Sequence, residues 1–141
     1  MITELDSLGA QDRTRVERAF AALEARGAHA LLAADRPSAL ATVLGLMRRG
    51  SSVAHGNSTT LQEIGWVDYL ARPDSGYHHL NPEWLAENDA QRRMRMRASL
   101  SLEADYFLDS VQAVCETGET IGTDGSGCRQ ASYVCGPPHV I

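Results

Sequence analysis

Apolar side chains in the first half of the chain fall mostly at helical spacing, broken by short runs of another kind. Val16, Ala19, Phe20 and Leu23 recur at i, i+3, i+4 and i+7, which puts them on one face of a helix running to about Arg26. Gly27 follows, and a residue without a Cβ readily takes the left-handed conformation that ends helices. The apolar run from Ala28 to Ala33 is short for a helix and is read as a strand. Asp35, beside Pro37, predicts a capped helix start. Leu40, Val43, Leu44 and Met47 repeat the helical spacing, and Arg48, Arg49 and Gly50 suit a helix end.

From Ser51 to His55 the pattern is β-like, and it runs into the polar loop from Gly56 to Thr60. Leu61, Ile64 and Val67 then predict another helix, opened by a capping box of Thr60 with Glu63 or Thr59 with Gln62. Such a cap leaves other backbone N–H groups of the first turn facing a ligand. Tyr77 to Leu80 reads as a strand. Asn81, Pro82 and Glu83 supply a capping side chain, a ring at the first helical position and an acid near the positive dipole end, predicting a helix to about Leu102. Tyr106, Phe107 and Leu108, behind Ala104 and Asp105, predict a buried strand. Glu116 to Glu119 marks a hairpin tip between Ala113–Cys115 and Thr120–Gly122. The glycine-rich loop to Gly127 leads into a short helix from Cys128 to Cys135, then Pro137 and Pro138, and a last apolar run from His139 to Ile141. Strands alternating with helices imply an α/β fold with a mainly parallel sheet covered on both faces. Ligands of such sheets lie beyond the carboxyl ends of the strands.

A length of 141 residues is expected to form one domain spanning 1–141, and an apolar fraction of 43% is ordinary for a folded chain. A formal net charge of −5 argues against a general nucleic-acid binder, while leaving room for a small anionic ligand held locally. Cys115, Cys128 and Cys135 contain no CxxC pair, so reduced thiols and a cytoplasmic location are expected. The acidic stretch from Met1 to Asp12 does not resemble an export signal, and no run of about 18 apolar residues occurs, so no membrane span is expected.

The chemistry-bearing positions each carry two readings. Gly56, Asn57, Ser58, Thr59 and Thr60 combine a flexible strand exit, hydroxyls and a helix start, which serve either an anion pocket or plain helix capping. The loop with Asp124, Gly125, Ser126 and Gly127 lets backbone approach a ligand, or makes a tight connection. Arg129 pairs with a ligand carboxylate or phosphate, or with Asp124 or another acid. Glu63 is a candidate general base, with capping as its alternative. Arg92, Arg93, Arg95 and Arg97 point around a helix and read as a solvated face. His55, His78 and His79 lack the spacing of a helical zinc site, so neither a metal nor another cofactor is expected. Cys128 reads as an inert thiol.

Taken in order, Gly56-Asn57-Ser58-Thr59-Thr60-Leu61-Gln62-Glu63-Ile64-Gly65, Arg97, Ala104-Asp105-Tyr106-Phe107-Leu108, Thr123 to Arg129 and Tyr133 to Pro137 resemble the LUD domain family, the lactate-utilisation proteins of the LutC type, from about Val16 to Ile141. The resemblance implies a three-layer α/β/α fold like that of glucosamine-6-phosphate deaminase, ribose-5-phosphate isomerase and the CoA transferases. It implies an accessory ligand-binding role in oxidation of L-lactate to pyruvate alongside iron–sulfur subunits, without redox chemistry of its own, since no cluster-binding cysteine run is present. An enzyme acting on a sugar phosphate or acyl-CoA, with Glu63 or Asp124 as base, and a scaffold docking iron–sulfur oxidoreductase subunits are the alternatives. Members usually carry Asn at the positions of Thr123 and Cys128, and an Asn-Ala pair at Gln112-Ala113, which implies an altered ligand preference. They also extend beyond the last strand through another strand and helix, so either the chain is naturally short or an edge near Ile141 is left to be covered by a partner, a second copy of the chain included.

Overall fold

The computed structural model describes residues 7–141. Helix α1 (Ala10–Ala25) and helix α2 (Arg36–Leu46) precede strand β1 (Ser52–His55). Short helices α3 (Thr59–Glu63) and α4 (Trp66–Leu70) lead to strand β2 (His78–His79). Helices α5 (Asn81–Leu85) and α6 (Ala90–Glu103) precede strand β3 (Tyr106–Leu108). The hairpin of β4 (Ala113–Val114) and β5 (Thr120–Ile121), helix α7 (Cys128–Val134) and strand β6 (His139–Val140) complete the order. The four-stranded sheet runs β2-β1-β3-β6 with every pair parallel, and β4 and β5 form a separate antiparallel ribbon.

Alternation along the two central strands divides the core in two. Val53, Tyr106 and Leu108 face a cluster completed by Met47, Leu61, Ile64, Trp66 and Leu70, with Leu40, Val43 and Leu44 of α2 packed against it. Ala54 and Phe107, on the opposite face, meet Leu80, Trp84 and Ala104, covered by Met96 and Leu100 of α6 and Tyr133 of α7. Helices therefore cover both faces of the sheet, the three-layer arrangement expected. Val53 and Ala54 of β1 and all three residues of β3 are buried, so the centre of the sheet reads as apolar on both faces.

Five local expectations are corrected. The run from residue 28 to 33 has no regular secondary structure and pairs with no strand among the described residues, and Leu31 and Leu32 are about half exposed; a short apolar run does not reveal by itself whether a neighbour exists to bond it. The helix after Thr60 is two short ones, because Gly65 takes φ 78 between them. Its cap is Ser58, whose Oγ accepts from the N–H of Leu61 at 3.1 Å, and not a box of Thr60 with Glu63 or Thr59 with Gln62. The helix after Asn81 is broken at residues 86–89 and restarts where Asp89 accepts from the N–H of Arg92 at 2.7 Å. Asn81 does not cap: its amide accepts from the N–H of His55 at 3.1 Å and donates to the carbonyl of His55 at 3.0 Å, continuing the β1–β2 ladder past the last paired residue.

Helix α1 has no buried residue and lies against the hairpin, with Arg15 and Arg18 on Glu116 and Arg26 on Glu119. Among the described residues no helix is long and apolar enough to cross a membrane. This division of the core predicts unequal costs for truncation. Phe107→Ala should lose about 3–5 kcal/mol in urea unfolding, whereas Leu31→Ser should stay within about 0.5 kcal/mol of wild type.

Candidate functional site

The carboxyl ends of β1 and β3 open side by side, and the chain leaves them as Gly56-Asn57 and Asp109-Ser110. The loop entering α7 closes one side and α6 the other. Between them lie two adjoining cavities. One, of about 290 Å³, is lined by Asn57, Arg97, Asp109, Arg129 and the loop from Thr123 to Ser126. The other, of about 360 Å³, is lined by His55, Gly56, Asn81, Trp84 and Leu85, and shares Asn57 and Arg97 with the first.

Asp109 and Arg129 form the wall between the strands and α7. The guanidinium donates from Nε to Oδ2 at 2.6 Å and from Nη2 to Oδ1 at 3.0 Å, a bidentate fork. Its Nη1 donates to the carbonyl of Thr123 at 2.6 Å. The Asp109 side chain is 1% exposed and that of Arg129 12%, so the pair is held out of water and each charge needs the other. The hydrogen bonds that Arg129 donates to Asp109 do most to raise the Arg129 pKa above its ordinary value. Gly56 lies directly over this pair: a Cβ built there would overlap the Asp109 carboxylate. The glycine is required by close approach and not by its torsion angles.

Asp124 is occupied by its own backbone. Oδ1 accepts from the N–H of Ser126 at 2.9 Å and Oδ2 from the N–H of Gln130 at 3.0 Å, so the carboxylate caps α7. Burial pushes its pKa up, but the N–H groups of Ser126, Gln130, Gly127 and Arg129 outweigh that and hold it down to about 2. The Gln130 side chain donates to the carbonyl of Gly122 at 3.0 Å, tying α7 back to the loop.

Of the residues singled out from sequence, Gly56, Asn57, Asp124, Gly125, Ser126 and Arg129 line these cavities. Ser58 is buried, capping α3 and donating to the Ser110 hydroxyl at 2.8 Å. Thr59 and Thr60 are exposed on α3 and Gly127 precedes α7; none of the three lines either cavity. Glu63 is at the far end of α3, 3.9 Å from the Arg36 guanidinium, and lines neither cavity. Arg129 took the second of its two readings, with Asp109 as the acid, a partner that sequence reasoning left unnamed. Arg97 departs from the solvated-face reading of the basic run. It lines both cavities, and among the described residues no hydrogen bond or ion pair engages its guanidinium. Arg92 pairs with Glu87 and Arg93 reaches the Glu87 carbonyl, on the outer side of α6. The signal for Arg97 was positional: it is the last arginine of the run, one position from Met96, which packs on the core.

His55 and His79, at the ends of β1 and β2, stack with ring centroids 5.3 Å apart. Desolvation dominates at both rings: it lowers the His55 pKa and brings that of His79 down to about 4. Both are therefore neutral at physiological pH. The cavity pair thus has one unneutralised cation, a neutral imidazole and no uncommitted carboxylate from Asp109 or Asp124. Such a set can hold an anion and can accept a hydrogen bond beside it.

Gly56→Ala should cost about 1–3 kcal/mol in chemical denaturation, because Asp109 must move and Arg129 loses its fork. Asp124→Ala should cost about 1 kcal/mol, as for other lost helix caps. The Asp124 carboxyl is depressed from 3.8 to about 2 in the folded chain, so its contribution is complete above pH 3.8 and is lost as pH falls from there through about 2. An acid titration of stability should show Asp124→Ala converging on wild type over that window.

A family model described as the LUD domain matches residues 16–141. No curated protein and no solved structure matches the chain. The match covers most of the chain, including both strand ends, the glycine-rich loop and α7, and the chain belongs to the LUD domain family.

Proposed function

We infer that this protein is a ligand-binding member of the LUD family that holds a small organic carboxylate at the carboxyl ends of β1 and β3. The observation that carries the reading is the contrast between two arginines. Arg129 is neutralised by Asp109, while Arg97 meets no acid among the described residues and faces both cavities. A guanidinium beside concave, partly apolar walls recognises a planar carboxylate through its fork of donors. Asn57 and the loop from Thr123 to Ser126 supply further polar contacts around it, with Asp124 and Arg129 shaping the wall.

The role proposed for such binding is that of an accessory component in oxidation of an organic acid such as L-lactate to pyruvate, with electron transfer left to other subunits. Its partner reading is docking of iron–sulfur oxidoreductase subunits along the outer edge of β6. That strand pairs only with β3 among the described residues, and Val140 on it is exposed.

A thermal-shift screen of the full chain against L-lactate, pyruvate, sugar phosphates and CoA tests the reading, since a ligand at about 100 times its Kd stabilises by roughly 2.7 kcal/mol. Carboxylates should raise the melting temperature. Arg97→Ala should abolish the shift, and Arg97→Lys should keep part of it, because an ammonium retains the charge without the fork. Phosphorylated compounds shifting Arg97→Ala as strongly as wild type would overturn the carboxylate reading.

A further inference from the structure

The Nδ1 of His55 lies 2.8 Å from the carbonyl oxygen of Gly56. A carbonyl only accepts, so Nδ1 carries the proton and Nε2 of the neutral ring carries the lone pair. Nε2 makes no hydrogen bond to the described residues, and it is not among the buried polar atoms that lack partners. Nε2 of His79 is among them, so of the two stacked imidazoles it is His55 that offers an open acceptor to the cavity. The same cavity is lined by Arg97, Trp84 and Leu85.

We propose that His55 is the specificity-determining residue of the site, accepting through Nε2 a hydrogen bond from a hydroxyl carried next to the ligand's carboxylate, so that a hydroxy acid with an apolar body is preferred to the matching oxo or unsubstituted acid. The proposal rests on the carboxylate reading above and adds the class of ligand. Arg97 takes the carboxylate, His55 accepts a hydrogen bond from the hydroxyl, which keeps its proton, and Trp84 and Leu85 face the hydrocarbon. A ligand without a donor leaves Nε2 desolvated and unpaired, and that loss discriminates more strongly than the bond itself attracts.

Four elements bring charged or titratable groups to His55: His79 from β2, Arg97 from α6, Asp109 beyond β3, and Arg129 behind Asp109 from α7. Burial and Arg97 oppose its protonation, and the Gly56 carbonyl and Asp109 favour it, with burial the largest, so the ring stays an acceptor at neutral pH. Once protonated, Nε2 becomes a donor. The preference should then pass from hydroxy acid to oxo acid, while carboxylate binding as such gains from the added positive charge.

Isothermal titration with 2-hydroxy-4-methylpentanoate, 4-methyl-2-oxopentanoate and 4-methylpentanoate, which share one carbon skeleton, reads this directly. Wild type near neutral pH should bind the hydroxy acid about five- to tenfold more tightly than the other two. His55→Phe, which keeps a ring against His79, should bind all three alike; His55→Gln, which restores an acceptor, should regain part of the preference. In wild type the preference should stay with the hydroxy acid down to the ordinary histidine value of about 6.5 and shift toward the oxo acid only as pH falls below it, and this series stands whether or not His55→Phe folds. Equal binding of all three acids by wild type, or a preference that survives His55→Phe, overturns the role of His55 and leaves the Arg97 reading intact. No binding of any of the three by wild type overturns both.

Discussion

The buried Asp109–Arg129 fork is the constraint around which the site is arranged. It joins the end of β3 to α7, and Arg129 reaches on to the carbonyl of Thr123 at the start of the glycine-rich loop. Two charges this far from water are stable only as a well-formed pair, so the loop and α7 are held to the sheet by the cost of separating them. The fork also explains the glycine packed against it. Position 56 must be glycine because the Asp109 carboxylate occupies the space where a side chain would start. One ion pair thereby fixes the ends of both central strands and the entrance to α7.

That arrangement decides which polar groups remain for a ligand. Asp109 is committed to Arg129, Asp124 to the backbone of α7, and Ser58 to the backbone of α3 and to Ser110. Helix starts that looked from sequence like open anion sites are closed by their own caps. Among the described residues Arg97, His55, Asn57 and the loop at Thr123 remain to face the cavities. Electrostatic complementarity for an anion thus comes from α6, in a chain whose net charge is −5.

Much of the fold was legible in the sequence because burial writes a periodic pattern. The apolar triplet Tyr106 to Leu108, the helix of Leu40, Val43 and Leu44, and the hairpin around Gly118 lie where spacing and turn chemistry put them. Where the reading failed, the deciding partner was distant in sequence. The run from residue 28 to 33 has strand composition but no neighbour, and Asn81 has cap chemistry but is used by His55 across the sheet edge. The site was half legible for the same reason. The glycine-rich loop and Asn57 announce themselves locally, whereas Asp109 matters through a residue twenty positions away and Arg97 through the direction in which one helix turn points. A basic run looks alike whether its last member faces solvent or a cleft.

The central claim is a division of labour between two arginines, and arginine side-chain NMR separates them most directly. In a titration of 15N-labelled protein with a small carboxylate, the Nε–H resonance of Arg97 should move progressively to saturation. That of Arg129, bonded to Asp109, should shift little and exchange slowly throughout. Movement of Arg129 with Arg97 unperturbed would contradict the account, because the ligand would then be competing for the Asp109 pair instead of binding beside it.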